Sequence, residues 1–442
     1  MKILGVLLSA ICLMSLSACA QTTESLPLSP QKRQQSTIAP QEKITAQVAV
    51  QSTSENILPI ITEAIFASCL ADYASKAAAA GISQNTMVGP LANAKLNSRV
   101  LELDGQQPEF TTSFANYFNR RVNDQRVEQG RALLQKHRAL FDKIEQQYGV
   151  PAPYLLSFWG LETNFGSFFG NMPVVDSLAT LACEGRRAEF FTGELIAALR
   201  ILDEGAIEPA KMVGSWAGAM GHVQFMPSNF LRYAIDGDGD GKRNLWASTP
   251  DAMASAANFL QGLGWQSDDR WGREVKLPSQ FNFLAAGLNN TKPLAEWSKL
   301  GVRRADNSPL PQSEIKAALL VPAGHQGPAF LVYHNFNVIM RWNRSEFYAV
   351  AVGVLADRIA GAGNLLQSPP VNALRLHRSQ VLQLQEKLID RELYADKADG
   401  IFGPATRRAV SQYQQQNNFV ADGFPDEKLL RLLGVSLEAV KN

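Results

Sequence analysis

One carboxylate stands in an unusually apolar stretch of the chain. Glu162 lies near the end of PAPYLLSFWGLETNFG, residues 151–166, most of whose other side chains are large and hydrophobic. Because burial disfavours the charged form of a carboxyl group, such surroundings are expected to raise the pKa of Glu162. A raised pKa suits a general acid at neutral pH. The pattern indicates an acid catalyst, and the alternative is a helix-end glutamate that reaches solvent or pairs with an arginine.

Three further stretches carry polar side chains suited to holding a sugar: GRRAEFF (185–191), GSWAGAMGHVQFMPSNF (214–230) and HNFNVIMRWNRSEFY (334–348). Glycine in the second stretch permits close approach of the backbone to a ligand, and the third alternates amides with aromatic rings. The candidate ligand-binding side chains are Arg186, Arg187, Ser215, Gln224, Asn335 and Tyr348. The structural alternatives are salt bridges, a tightly packed helix–turn–helix, and core aromatics with capping asparagines.

An acidic stretch, DGDGDGKRNLW, begins at Asp236. Its three aspartates occupy positions one, three and five of an EF-hand loop, Gly241 supplies the turn at six, and position seven uses a backbone carbonyl. The calcium ligands that this loop pattern predicts are Asp236, Asp238, Asp240 and the backbone carbonyl of Lys242. The usual glutamate at position twelve is replaced by Ala247. Three neighbouring carboxylates favour a structural Ca²⁺ over the alternative of a plain acidic turn.

The elements that must position these residues are mostly helical. Apolar spacing predicts helices over 64–82, 123–148, 151–166, 188–204, 251–262 and 344–360, and a strand over 329–333. Residues 57–366 therefore read as one mainly α, α+β body with minor β elements. Paired prolines mark a linker at 367–374, and residues 375–442 read as a small all-α module.

The N-terminus reads as an export signal. Residues 1–18 combine a basic start with an apolar run that ends in small residues. Leu16-Ser17-Ala18-Cys19 is similar to a bacterial lipobox, which predicts lipid on Cys19. By the same resemblance, Ala20 favours anchoring in the outer membrane over retention in the inner membrane. The predicted location is therefore the periplasm of a Gram-negative bacterium. The alternative is an ordinary secretory signal. Residues 19–56, rich in Gln, Ser, Thr and Pro, read as a flexible tether.

The predicted export affects how the cysteines are interpreted. Cys12 leaves with the signal and Cys19 carries lipid, so Cys69 and Cys183 remain. An even pair in an exported chain indicates a disulfide, with two buried thiols as the alternative. The formal net charge of +1 gives no electrostatic reason to expect nucleic-acid binding. The five histidines lack zinc-site spacing.

The stretches GLETNFG, DSLATLACEGRRAEFF, GSWAGAMGHVQFMPSNF and NFNVIMRWNRS resemble, in this order, the lytic murein transglycosylase B family. The resemblance implies a lysozyme-like domain acting on peptidoglycan, with Glu162 as the single catalytic glutamate. It places Ser215, Gln224, Arg186, Arg187 and Asn335 along the glycan groove. It also implies a late aspartate in the calcium loop, as at Asp251, although the spacing here is one residue longer.

The C-terminal segment contains DGIFGPAT, residues 399–406, and is similar to the peptidoglycan-binding type 1 domain. The resemblance implies binding to cell-wall glycan without catalysis; the alternative is a helical stabilising appendage.

A single acid suffices for glycoside cleavage if the substrate's N-acetyl group assists. We expect Glu162 to act first as acid and then as base, giving a 1,6-anhydroMurNAc end. The alternatives are a lysozyme-type muramidase, in which water attacks, and a non-catalytic wall-binding lipoprotein.

Overall fold

The computed structural model describes residues 61–106, 112–372 and 374–437. All of them fall within one compact unit, Ile57–Asn442. The predicted signal peptide, the lipidation site at Cys19 and the whole of the predicted tether lie outside the described residues. Within the described ranges, no helix combines the length and apolar character needed to cross a membrane.

Helices dominate the described residues, in agreement with the predicted fold class. The helices are α1 Glu63–Ala79, α2 Gln84–Thr86, α3 Ser98–Gln106, α4 Phe114–Arg121, α5 Asp124–Lys136, α6 Arg138–Tyr148, α7 Ala152–Thr163, α8 Val174–Glu184, α9 Ala188–Asp203, α10 Pro227–Tyr233, α11 Thr249–Gly262, α12 Leu294–Lys299, α13 His334–Trp342, α14 Glu346–Ile359, α15 Arg378–Ile389, α16 Pro404–Gln416 and α17 Glu427–Leu433.

One predicted helix is divided in the structure, and one observed helix was not predicted. The stretch predicted over 123–148 is two helices, α5 and α6, because His137 leaves helical geometry with φ −110° and ψ 24°. The helix predicted over 344–360 corresponds to α14, whereas α13 was not predicted and is separated from α14 by a short corner at 343–345. Apolar spacing alone continues through both breaks, so it does not reveal them.

The strands are β1 Met172–Pro173, β2 Val213–Gly214, β3 Gly272–Lys276, β4 Thr291–Pro293, β5 Arg303–Arg304, β6 Lys316–Leu320 and β7 Ala329–Val332. β1 and β2 form a two-stranded pair. The others form an antiparallel sheet in the order β4-β6-β7-β3-β5. This sheet is more extensive than the sequence indicated, because its strands are too short to show a clear alternation of polar and apolar residues.

The sheet separates two hydrophobic cores. Side chains of a strand alternate between its faces, so Phe330 and Val332 of β7 enter the main helical core while Ala329 and Leu331 enter a second core on the other face. Both faces are covered, which explains why β7 reads as a continuous apolar run. The segment from Leu376 to Leu437 has a third core of its own, built on α15, α16 and α17.

Candidate active site

Glu162 lies in the last turn of α7. Nearly every other residue of this helix is buried, because its neighbours include α5, α6, α11 and α14. Pro151 caps the start and Asn164 ends the helix in the left-handed region, with φ 49°. Burial of the helix on all sides fixes its position, and Glu162, which is only partly buried, is therefore presented from a rigid support.

Two side chains donate hydrogen bonds to the same oxygen of Glu162. The indole Nε1 of Trp342 lies 3.0 Å from Oε1, and the hydroxyl of Tyr348 lies 2.5 Å from it. Charge-assisted bonds from a hydroxyl to a carboxylate are short and strong. Together the two donors hold the carboxyl group in one orientation.

The corner between α13 and α14 brings these donors together. Trp342 is the last residue of α13, and Tyr348 lies in the first turn of α14. Asn343 accepts from the backbone N–H of Ser345 at 3.2 Å, and Ser345 caps α14 by accepting from the N–H of Tyr348 at 3.3 Å. Without this corner, one continuous helix would place the two side chains about 1.7 turns apart and on different faces.

Aromatic packing surrounds the donors. The ring of Trp342 lies 4.4 Å from Phe158 and 5.1 Å from Phe259, centroid to centroid. Tyr348 is 4 % exposed, and burial followed by the charge of Glu162 raises its pKa well above the usual value. Its hydroxyl therefore stays protonated and remains a donor. Trp342 was not among the predicted site residues, although the mixed amide–aromatic stretch that contains it was singled out.

A second set of bonds holds the end of α7. The hydroxyl of Thr163 donates to the backbone carbonyl of His222 at 2.9 Å and accepts from the N–H of Gly166 at 3.0 Å. The indole of Trp159 donates to Nδ1 of His222 at 2.9 Å. Burial lowers the pKa of His222 to about 4, so the imidazole is neutral and Nδ1 is free to accept. No local feature of the sequence indicated this role of His222.

The glycine-rich stretch packs against the loop that follows Glu162. Gln224 donates to the carbonyl of Phe169 at 3.1 Å, and the hydroxyl of Ser215 accepts from the N–H of Ala219 at 3.0 Å. Backbone approach is so close that a Cβ on Gly170 would lie 2.0 Å from the carbonyl oxygen of Gly214. Ser215 and Gln224 are partly exposed. Both side chains are therefore accessible to a ligand beside the loop that follows Glu162.

The arginine pair has a structural partner. Arg186 and Arg187 both form ion pairs with Asp104, whose side chain is 3 % exposed. The two arginine side chains remain about two-fifths exposed, at 40 % and 41 %. The salt-bridge interpretation of the sequence therefore describes their inner contacts, and their outer surface stays open.

Asn335 requires a correction. The residue is fully buried, where a groove-lining side chain would be exposed. Its amide accepts from the N–H of Gln266 at 2.9 Å and donates to the carbonyls of Gln266 and Asp269 at 2.8 and 2.9 Å. The amide therefore stabilises the loop after α11. It is not accessible to a glycan, so Asn335 does not line a groove as predicted.

The acidic loop folds around Asp251. Carboxylate oxygens of Asp236, Asp238 and Asp251 lie within 4.8 Å of one another, a spacing that two Ca²⁺–oxygen distances of about 2.3–2.6 Å can span. Asp251 is fully buried and accepts from the N–H groups of Gly237 and Asn244 at 2.8 and 2.7 Å. Asp240 is exposed and accepts from the N–H of Lys242. The donor set suits a hard cation, with Asp240 outside the close group.

Cys69 of α1 and Cys183 of α8 are joined by a disulfide in the structure, with their Cα atoms 6.0 Å apart. The bond links two helices that lie 114 residues apart in the chain.

A rigid helical support, one oriented glutamate and an adjoining glycine-rich loop form the arrangement expected of a lysozyme-like glycan-cleaving enzyme, although a fold alone does not establish a function. The family comparison specifies the class. Residues 65–357 match the Transglycosylase SLT domain family, and residues 377–433 match a family described as a peptidoglycan binding domain. The chain belongs to the Transglycosylase SLT domain family and is a peptidoglycan lytic transglycosylase.

Individual relatives agree with this assignment. The membrane-bound lytic murein transglycosylase B of Escherichia coli K12 is 32 % identical over 304 residues, which cover 63 % of this chain and 79 % of that protein. Crystalline SltB3 from Pseudomonas aeruginosa, in complex with NAG-NAM-pentapeptide, is 43 % identical with a TM-score of 0.81, covering 83 % of this chain and 99 % of that one. Escherichia coli Slt35 in complex with calcium is 28 % identical with a TM-score of 0.59, covering 70 % and 98 %.

Proposed function

We propose that the chain cleaves the β-1,4 bond between MurNAc and GlcNAc without water, with Glu162 as its sole acid and base. The observation that carries this proposal is the fixed orientation of Oε1 of Glu162 by Trp342 and Tyr348 at the end of a buried helix. A proton donor held in one geometry supplies much of the rate enhancement in general acid catalysis.

The reaction proceeds in two steps. Protonated Glu162 gives its proton to the glycosidic oxygen as the bond to the MurNAc anomeric carbon breaks, and the acetamido carbonyl closes on that carbon as an oxazolinium. The resulting carboxylate then takes the proton of the MurNAc 6-hydroxyl while O6 attacks the anomeric carbon and expels the acetamido oxygen. The products are a GlcNAc 4-hydroxyl and a 1,6-anhydroMurNAc end, and Glu162 is protonated again.

The strand binds along the surface formed by Ser215 and Gln224 next to the Glu162 segment. The exposed N–H groups of Arg186 and Arg187 can donate to polar groups of the strand, while Asp104 and Glu184 balance the charge of the pair. Tyr348 contributes through the hydrogen bond from its hydroxyl to Glu162. Because the side chain is buried, its ring face is not available for stacking on a sugar. Residues 375–442 bind the wall without catalysis, connected to the catalytic domain 57–366 by 367–374.

The acidic loop holds a structural calcium ion through Asp236, Asp238 and Asp251, with the Lys242 carbonyl completing the set. Support comes from the spacing of the carboxylates and from the calcium complex of Slt35. The ion would stabilise the loop between α10 and α11.

The enzyme works in the periplasm, attached to the outer membrane by lipid on Cys19. Support comes from the lipobox-like sequence and from the membrane-bound Escherichia coli relative. Metabolic labelling with a radioactive fatty acid tests it: label must appear on the wild-type chain and disappear in Cys19→Ala.

Product analysis tests the reaction. Purified sacculi are digested with the wild-type chain, and the masses of the soluble fragments are measured by mass spectrometry. An anhydro end is lighter by one water than the end a muramidase leaves, so reducing MurNAc ends would refute the proposal. Glu162→Gln, nearly isosteric, must abolish turnover while thermal melting stays at the wild-type temperature. Soluble product from that variant would also refute it.

A further inference from the structure

The C-terminal module touches the catalytic domain at the helix that carries Tyr348. Nη2 of Arg407, in α16, donates to both carboxylate oxygens of Glu346 at 2.9 and 2.8 Å. The two side chains are only 20 % and 15 % exposed. Charge pairs with restricted access to water are less screened than exposed ones, so this contact is more than an incidental surface pair.

A second contact fixes the module beside the first. Asp422, whose side chain is 2 % exposed, accepts from the backbone N–H of His325 at 2.9 Å and lies 2.6 Å from its Nδ1. The neighbouring Gly324 has no room for a side chain, since its Cβ would lie 2.6 Å from Asp422. Phe424 connects the two contacts, because the Arg407 guanidinium lies 5.8 Å from its ring centroid. Arg407 therefore reaches Glu346 from a docked module.

Glu346 is the first residue of α14 and lies two residues before Tyr348. Helix ends fray more readily than helix interiors, and the preceding corner at 343–345 is not helical. The turn that carries the Tyr348 hydroxyl therefore lies at the N-terminal end of α14, and Arg407 of the module contacts the first residue of that turn.

We propose that Arg407 is a positioning residue: by holding Glu346, the C-terminal module fixes the first turn of α14 and so the contact of Tyr348 with Glu162. The inference rests on the proposed role of Glu162. The module then acts as a part of the catalytic unit in addition to its binding to the wall.

The test measures kcat and KM separately on soluble, uncross-linked glycan strands, with the full chain. Arg407→Gln should lower kcat roughly tenfold, because small displacements of catalytic groups cost this much or more, with KM within twofold of wild type. Arg407→Lys should restore most of kcat, since a single nitrogen of Arg407 makes both bonds. Arg408→Gln, at the exposed neighbouring residue, is the matched control and should behave as wild type.

Glu346→Gln weakens the same Arg407–Glu346 ion pair by a change in the catalytic domain and leaves the sequence of the module unchanged. It should lower kcat as Arg407→Gln does, and the double variant should lose no more than either single one, since coupled residues are not additive. Sacculus pull-down by Arg407→Gln checks that the module still folds and binds.

Wild-type kcat for both Arg407→Gln and Glu346→Gln would overturn the inference, as would a loss confined to KM. Those results leave the proposed function intact as long as Glu162→Gln is inactive. Activity in Glu162→Gln would instead refute the proposed function itself.

Discussion

The hydroxyl of Tyr348 donates to Oε1 of Glu162 over 2.5 Å, although 186 residues separate the two in the chain. The bond joins the last turn of α7 to the first turn of α14, two helices that pack against each other in the main core. Tyr348 is therefore placed to influence directly how Glu162 gives and takes a proton.

Replacing Tyr348 by phenylalanine removes one hydroxyl and keeps the ring packing with Phe158. We expect kcat to fall by about one to two orders of magnitude, since loss of one positioned donor in an active site costs this much or more. Steady-state turnover of glycan strands measures it. Tyr413→Phe in α16 is the control, and equal rates for the two variants would contradict the role of Tyr348.

Trp342→Phe deletes the other donor to Glu162 while retaining an aromatic ring between Phe158 and Phe259. We expect a fall in kcat and an additional loss of about 1–3 kcal/mol of stability, because the smaller ring fills less of the partly buried site of Trp342. Turnover and urea unfolding report the two effects separately. A variant that loses stability but keeps full kcat would show that Trp342 only packs.

His222 predicts a dependence of stability on pH. Its pKa is lowered from 6.5 to about 4 by burial, so the unfolded chain binds the proton more readily than the folded one. Its effect on stability is absent above about pH 6.5, grows as pH falls, and is complete below about pH 4, where it costs about 3 kcal/mol at about 1.4 kcal/mol per unit.

Urea unfolding at several pH values between 4 and 7 measures this loss. His222→Gln keeps an acceptor for the Trp159 indole but does not titrate, so its unfolding free energy should vary less with pH over this window. An identical pH dependence in both proteins would exclude His222 as the source.

Calcium should raise the melting temperature of the wild-type chain relative to the same chain in chelator. Asp251→Asn should abolish the difference, because this buried carboxylate belongs to the close acidic group. Asp390→Asn, at an exposed aspartate of the C-terminal segment, should preserve it. Identical melting with calcium and chelator in the wild-type chain would remove calcium from the proposal.

The disulfide closes a long loop, since Cys69 and Cys183 are 114 positions apart in the chain. Removing both thiols with Cys69→Ala and Cys183→Ala should lower the free energy of unfolding by about 2–5 kcal/mol, chiefly by freeing the unfolded chain. Urea midpoints with and without reductant measure it. Reductant should shift the wild-type midpoint and leave the double variant unchanged; no shift in the wild type would contradict the bond.

Several features could be read from the chain directly because their causes are local. Pro151 and Asn164 bound α7, and the continuous apolar run of β7 reflects burial on both faces. Counting cysteines in an exported chain left only one pair to bridge. The apolar neighbours of Glu162 are also local, which is why this residue could be chosen as the candidate acid before any contact was known.

The sequence by itself thus determined the mainly helical class and the carboxylate around which the site is built. Only the tertiary structure decided which side chains form hydrogen bonds with that carboxylate. Asn335 and Trp342 belong to the same helix, yet the first is buried against the loop after α11 and the second reaches Glu162. Periodicity describes one helix at a time, whereas hydrogen bonds across α7, α14 and the C-terminal module depend on how separate helices pack.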